Sequence, residues 1–128
     1  MIWLPTLEDV LIVHERMIER TGGDFGIRDI GLIESAIARA QAGYDDYELY
    51  SSVEAKAAAI GHGLAANHGF VDGNKRVGTA TMLLILRKNG IEISCTEEAL
   101  VEIGLDIATD RADVDRVTKW ILTHKSTI

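Results

Sequence analysis

The sequence predicts an all-α fold, a compact helical bundle of about six helices in one domain over residues 1–128. Apolar residues recur at the spacing of amphipathic helices in several segments, and a Ser, Thr or Asp stands before most of them. Strand signals are confined to residues 91–94, which is too little for a sheet. With 47% apolar residues, a chain of this length can bury one core without disulfides.

The first two helices are marked by capping residues and by a glycine-rich break between them. Thr6 precedes the first helix, and acids follow in its first turn, where the helix dipole favours negative charge. The apolar stripe of this helix includes His14, which has no partner at metal-ligand spacing and is interpreted as a buried structural residue. Three glycines in residues 21–26 end the helix. Asp29 caps a second helix, which is expected to end near Gly43.

The third helix is expected to lie at the centre of the bundle. Before it, residues 44–50 hold three tyrosines and three acids, and we interpret them as an exposed loop or flap, either packed or contacting a partner. Ser51 then begins a capping box, and alanine and glycine dominate residues 53–66, so other helices can approach closely. His62 stands six residues before His68, which is not a same-face spacing, so the two are not paired as metal ligands.

A fourth helix from about Gly73 to Lys88 is apolar on most sides, as expected of an interior helix. Asn89 and Gly90 are a helix stop, and a short extended piece is expected over residues 91–94. Thr96 and Asp113 are the N-caps of two further helices. The tail from Thr123 is expected to be frayed, with His124 exposed.

The charge distribution separates one segment from the rest of the chain. The formal net charge is -7, which argues against direct nucleic-acid binding because such binding needs a basic face. Residues 67–90 nevertheless carry four basic side chains and one acidic side chain, so this segment is positive within an acidic protein. That distribution fits an anion site confined to this segment.

The expected location is the cytoplasm. The chain has one cysteine, Cys95, so an internal disulfide is excluded and a reducing compartment fits. No apolar run reaches membrane-spanning length, so no membrane partner is expected, and the N-terminus lacks the pattern of a signal peptide.

The positive segment contains a compact polar motif, His-Gly-Phe-Val-Asp-Gly-Asn-Lys-Arg over residues 68–76. Gly73 and Asn74 stand at a helix start, where free backbone N–H groups and the positive end of the helix dipole form a phosphate cradle. Lys75 and Arg76 add charge that can neutralise phosphate oxygens. The spacing is not that of a Walker A loop.

Three further residues of the motif have distinct expected roles. Asp72 can hold magnesium, which takes one or two carboxylates together with phosphates and water. His68 can take a proton from a hydroxyl, since histidine titrates near neutral pH. Phe70 has no such chemistry and is expected to anchor the loop in the core.

The motif resembles the signature of the Fic/Doc (Fido) superfamily, His-x-Phe-x-(Asp/Glu/Asn)-(Gly/Ala)-Asn-(Gly/Lys)-Arg. At position 75 the sequence resembles the Doc branch, which has lysine, whereas Fic proteins that transfer AMP usually have glycine there. The resemblance extends to Gly22-Gly23, to residues 26–36 and to the helix end at residues 86–90, and so covers nearly the whole chain.

The resemblance implies a Fido-type six-helix fold and a toxin that uses ATP and Mg2+. Such a toxin phosphorylates a threonine of elongation factor Tu and halts translation, with ATP presenting its γ-phosphate. By resemblance, His68 is the catalytic general base and Asp72 the metal ligand. The residues that hold the nucleotide phosphates are then Gly73, Asn74, Lys75 and Arg76.

The resemblance also implies a partner. Doc proteins are neutralised by a Phd-like antitoxin, whose C-terminal segment folds into a surface groove, and DNA contact is expected only through that antitoxin. Self-inhibited Fic proteins carry a Ser/Thr-x-x-x-Glu-(Gly/Asn) helix, which this sequence lacks, so inhibition by a separate chain is predicted.

Two positions differ from the Doc pattern and leave alternatives open. Gly73 stands where Doc has alanine, and Ala66 stands where Doc has an arginine. Transfer of AMP to a protein hydroxyl is therefore the alternative reaction. A non-catalytic module that only binds a partner is the alternative of a different class.

Overall fold

The computed structural model describes residues 1–109 and 111–127, and six α-helices form most of that part of the chain. They are α1 (Leu7–Thr21), α2 (Ile30–Ala38), α3 (Val53–Asn67), α4 (Asn74–Lys88), α5 (Glu97–Ala108) and α6 (Val114–His124). Two antiparallel pairs of very short strands accompany them: β1 (Gly43–Tyr44) with β2 (Tyr47–Glu48), and β3 (Ile91–Ile93) with β4 (Lys125–Thr127). The predicted all-α class with six helices is confirmed. No helix within these residues is long and apolar enough to cross a bilayer.

Side-chain caps explain where five of the six helices begin. In each case a hydroxyl or carboxylate accepts a hydrogen bond from a backbone N–H in the first turn. The capping residues are Thr6, Asp29, Ser52, Thr96 and Asp113. The predicted caps Thr6, Asp29, Thr96 and Asp113 are confirmed. The capping box predicted at Ser51 is wrong by one residue, because Ser52 accepts from the N–H of Ala55 at 3.0 Å.

The segment between α2 and α3 is more regular than expected. The predicted end of the second helix near Gly43 is wrong, since α2 ends at Ala38 and a 3-10 turn over Arg39–Gln41 follows. Residues 44–49 are exposed, as predicted, whereas Tyr50 is half-buried, and most of the β1–β2 hairpin lies in this segment. The buried side chain of Lys56 holds the hairpin, because its Nζ donates to Glu48 Oε1 at 3.3 Å. A partner contact at this hairpin stays a prediction.

The prediction of a frayed tail from Thr123 is wrong. Helix α6 continues to His124, whose half-buried ring donates from Nδ1 to the Trp120 carbonyl oxygen at 2.7 Å. The chain then forms β4, which pairs with β3. Lys125 Nζ donates to the largely buried Glu54 Oε2 at 2.6 Å. Strand pairing and this ion pair therefore order the tail, and neither was visible as a local pattern.

Helix α3 lies at the centre, as predicted, and packs against α2, α4, α5 and α6. Its contact with α4 is made by backbone. A Cβ atom added to Gly78 would lie 2.5 Å from the Gly61 carbonyl oxygen, and one added to Gly61 would lie 3.0 Å from that of Gly78. The two helices can approach this closely only because both positions lack a side chain. The contact fixes α4 against the helix that precedes the motif loop.

The Gly61–Gly78 contact predicts a large cost for one methyl group. Gly78→Ala should lower the free energy of unfolding by about 2–3 kcal/mol, because the added atom has nowhere to move between two helix backbones. Gly104→Ala on α5 is the matched control, since its Cβ would meet only Thr79 Oγ1 at 3.4 Å. That change should be neutral or stabilising by about 0.5–1 kcal/mol. Chemical denaturation measures both; equal effects would contradict the close contact.

The Glu54–Lys125 pair predicts a pH-dependent stability. The hydrogen bond from Lys125 lowers the pKa of Glu54 below the ordinary value of 4.5, against the opposing effect of burial. The contribution of the pair to the free energy of unfolding is thus complete above pH 4.5. It is lost as the pH falls through the lower pKa that Glu54 has in the folded state. Lys125→Met should cost about 1–2 kcal/mol at pH 7, and its difference from the wild type should shrink below pH 4.5.

Arg87→Met is the control for this measurement, because its ion pair with Glu92 is mostly exposed. That variant should cost no more than about 0.5 kcal/mol. A Lys125→Met difference that stays constant from neutral to acidic pH would contradict the assignment.

Candidate active site

The motif loop of residues 68–73 joins α3 to α4 and turns through two left-handed residues. His68 follows the last residue of α3 with φ 55° and ψ 46°, and Gly73 precedes α4 with φ 77°. Glycine takes this conformation freely, whereas histidine does so at an energetic cost. The conformation at His68 therefore depends on the contacts that hold the loop, and strain of this kind is common at functional sites.

The segment before α2 holds the motif loop from outside. The N–H groups of Arg28 and Asp29 both donate to the Gly69 carbonyl oxygen, at 2.8 and 2.9 Å, and the N–H of Val71 donates to Gly26 O at 3.0 Å. A Cβ on Gly69 would lie 2.5 Å from Ile33 Cγ1. The loop is consequently seated against the start of α2.

Phe70 and His14 hold the same loop from inside. Phe70 is buried, as predicted, and its ring stacks on the His14 ring with centroids 3.8 Å apart and planes at 10°. His14 is buried as expected, and its Nε2 donates to the Asp72 carbonyl oxygen at 2.8 Å. This contact between α1 and the motif was not predicted, because no local pattern in the sequence relates residues 58 positions apart.

Asn74 closes the loop with its side chain. The Phe70 N–H donates to Asn74 Oδ1 at 3.0 Å, and Asn74 Nδ2 donates to the Phe70 carbonyl oxygen at 2.9 Å. Both polar atoms of the amide are thus engaged. The backbone N–H of Asn74 and the second N–H of its Nδ2 are the donors left for a phosphate, which narrows the role predicted for this side chain.

The Asp72 carboxylate is half-exposed and oriented by two backbone donors. Oδ1 accepts from the Gly73 N–H at 2.8 Å and Oδ2 from the Asp24 N–H at 3.2 Å. Arg76 Nη2 lies 3.6 Å from Oδ1. Gly23 permits the approach, since a Cβ there would lie 2.5 Å from Asp72 Oδ2.

This arrangement fits magnesium only together with a nucleotide. The described part of the chain has no group of three or more His, Cys, Asp or Glu side chains that could hold a metal. Asp72 can supply one carboxylate, and each of its oxygens keeps a lone pair beyond the backbone bonds described above. Magnesium usually takes one or two carboxylates and completes its six ligands with phosphate oxygens and water.

The N-terminus of α4 differs from the other helix starts in the described residues. Its N-cap, Gly73, offers no side-chain acceptor, whereas the other five helices have one, and its first turn, like that of α2, has no acid. Lys75 is exposed at this helix start, and its side chain has no hydrogen-bond or ion-pair partner among the described residues. Arg76 donates from Nη1 to Thr21 Oγ1 and to Gly22 O, the latter at 3.2 Å. The result is a helix end with free N–H donors and two cations.

These residues surround an open cleft of about 370 Å³. All six residues predicted for the site line it: His68, Asp72, Gly73, Asn74, Lys75 and Arg76, with Val71 beside them. The His68 ring is exposed, and no hydrogen bond engages it within the described chain. Proton acceptor, carboxylate and cations therefore share one cleft, at which a phosphate and a hydroxyl can meet.

A second, apolar groove of about 620 Å³ lies next to this cleft, between α1, α4 and α5. Lys75 and Arg76 line both. The exposed side chains of Val101 and Leu105 contribute to its α5 wall.

Comparison of the sequence with known proteins shows the family of the chain. A sequence profile of the Fic/DOC family matches residues 4–86, which include α1 to α3 and most of α4. The chain is similar to Toxin Doc of Mycolicibacterium smegmatis, with 35% identity over 98 residues, 75% of each chain. It is also similar to Protein kinase doc of Escherichia phage P1, with 33% identity over 110 residues, 86% of each chain. The resemblance inferred from the motif is confirmed, and the chain belongs to the Fic/Doc family.

Proposed function

We propose that this protein is the toxin of a bacterial toxin–antitoxin pair and transfers the γ-phosphoryl group of ATP to a threonine of elongation factor Tu, inhibiting translation in the cytoplasm. The observation that carries the proposal is the uncapped start of α4, which brings N–H donors, Lys75 and Arg76 to the cleft that His68 lines. The names of two relatives, a toxin and a protein kinase, support it.

The start of α4 binds the triphosphate in this proposal. The N–H groups of the first turn and the helix dipole attract phosphate oxygens. Lys75 adds a mobile point charge, and Arg76, already fixed by Thr21 and Gly22, adds a planar donor. When bound, magnesium neutralises further phosphate charge, and Asp72 is the side chain that would hold it.

His68 acts as general base. It accepts the proton of the threonine hydroxyl, whose oxygen forms a bond to the γ-phosphorus. The bond from that phosphorus to the bridging β,γ-oxygen breaks, and ADP leaves with the electron pair. The exposed His68 ring has no competing hydrogen bond in the described chain, so a target hydroxyl can reach it.

Transfer of AMP is the second candidate. Gly73 favours it, because glycine at this position is a Fic-like feature where the Doc pattern has alanine. The same residues would then act on the α-phosphate, and the leaving group would be pyrophosphate. A purely binding module is the remaining alternative; a complete set of polar side chains around one cleft argues against it.

Incubation with ATP, Mg2+ and elongation factor Tu, followed by mass spectrometry, tests the reaction. The proposal expects a phosphoryl-sized addition to a threonine, which His68→Ala should reduce by at least about 100-fold, since positioned general bases contribute about that much. Lys75→Ala should also slow the reaction. Lys88→Ala, at the opposite end of α4, is the matched control and should not.

The other outcomes decide among the alternatives. An AMP-sized addition that depends on His68 would establish the second candidate instead. The binding module would be favoured if expression of the His68→Ala variant were as toxic as that of the wild type. If no translation factor were modified, that result would contradict both enzymatic candidates.

The antitoxin partner is proposed to occupy the apolar groove between α1, α4 and α5. A Phd-like C-terminal segment that folds as an amphipathic helix would cover Val101 and Leu105. Acidic side chains on that helix would meet Lys75 and Arg76 at the shared edge. Occupation of the groove would thereby block the phosphate cleft in trans.

Leu105→Asp tests the position of the antitoxin. It should weaken binding of the cognate antitoxin by at least about tenfold, because a charge would enter an apolar contact. Leu122→Asp on α6 is the control, since Leu122 is equally exposed but lies outside the groove. Calorimetric titration measures both. Equal affinities of the two variants would place the antitoxin elsewhere.

A further inference from the structure

His14 is a buried polar residue of α1 that contacts the motif loop twice. Only 2% of its surface is exposed. One face of its ring covers Phe70, and its Nε2 reaches the Asp72 carbonyl oxygen. None of the proposed catalytic steps uses this residue, although it touches the loop that carries them.

The tautomer of His14 follows from its partner. A carbonyl oxygen can only accept a hydrogen bond, so Nε2 must carry the proton. The stack on Phe70 restricts rotation of the ring and keeps this N–H directed at the loop. His14 therefore offers one fixed donor to one fixed acceptor.

The contact is transmitted to the Asp72 carboxylate through a single peptide group. The carbonyl that accepts from His14 and the N–H of Gly73 belong to the same planar unit. That N–H donates to Asp72 Oδ1 at 2.8 Å. A rotation of this peptide would therefore break both hydrogen bonds, and His14 opposes it from the carbonyl side.

We propose that His14 is a positioning residue that holds the Asp72 carboxylate in the orientation needed for a magnesium–nucleotide complex. The inference rests on the proposed function, because it assigns Asp72 to magnesium. His14 touches neither substrate nor metal; it acts through the peptide between Asp72 and Gly73. Phosphate binding by Lys75 and Arg76 should depend on His14 much less, because Arg76 is held by Thr21 and Gly22 as well as by its ion pair with Asp72.

The pair His14→Gln and His14→Met isolates the hydrogen bond. The two side chains have nearly the same length and both lose the ring stack, but only glutamine retains an N–H donor. His14→Phe is a further variant, which keeps an aromatic ring against Phe70 without the donor. Circular dichroism and thermal unfolding show which variants are folded.

The measurement is calorimetric binding of an ATP analogue that cannot transfer its γ-phosphoryl group, with Mg2+ and with EDTA. The gain in affinity that Mg2+ provides should be about five- to tenfold smaller in His14→Met than in His14→Gln, as expected for one hydrogen bond. Affinity in EDTA should be the same in both. A residue that only fills the core would weaken binding equally in the two conditions.

The outcomes separate this inference from the proposed function. If Mg2+ raised the affinity for the ATP analogue equally in the folded variants, the positioning role would be overturned and the proposed function would be unaffected. If the wild type binds no nucleotide, the proposed function fails, and amide hydrogen exchange at Gly73 decides the positioning role instead. Faster exchange in His14→Met than in His14→Gln would support it, and equal exchange would overturn it. If these two variants do not fold, His14→Phe compared with the wild type gives the same test.

Discussion

The backbone contact between α3 and α4 at Gly61 and Gly78 is the constraint on which the rest of the structure depends. It holds the end of α3 and the start of α4 close together, so six residues must reverse the chain between them. The reversal needs left-handed backbone at both ends of the loop, at His68 and Gly73. A packing constraint in the core thereby determines where the histidine ring and the open helix end meet.

The loop itself is stabilised by three neighbouring parts of the fold. The start of α2 binds the Gly69 carbonyl, α1 supplies the His14 ring, and the turn after α1 donates to the Asp72 carboxylate. Asn74 closes the loop internally. Most polar groups of the loop are thus committed to structure, and the exposed His68 ring, the Lys75 side chain and the first N–H groups of α4 are left for chemistry. The site is defined as much by an omitted helix cap as by its charged residues.

The features that could be predicted from the sequence are those that depend on residues close together along the chain. Helix caps such as Thr6 and Asp113 act within three residues, and the six site residues all lie in one loop and the first turn of the helix that follows it. The rest depends on distant pairs. His14, Asp24 and Thr21 reach the motif from about 50 positions away, and the strand after α6 pairs with β3 across 30 residues or more. No local pattern signals such contacts, which is why the tail was expected to fray and His14 was assigned only to the core.

A structure of the protein with a non-transferable ATP analogue and magnesium tests the central claim most directly, because the reaction is decided by which phosphate lies at the motif histidine. We expect the γ-phosphorus to lie nearest the His68 ring, with triphosphate oxygens on the first N–H groups of α4. An α-phosphorus in that position would contradict phosphoryl transfer and assign the cleft to AMP transfer. A triphosphate bound away from α4 would contradict the phosphate cradle itself.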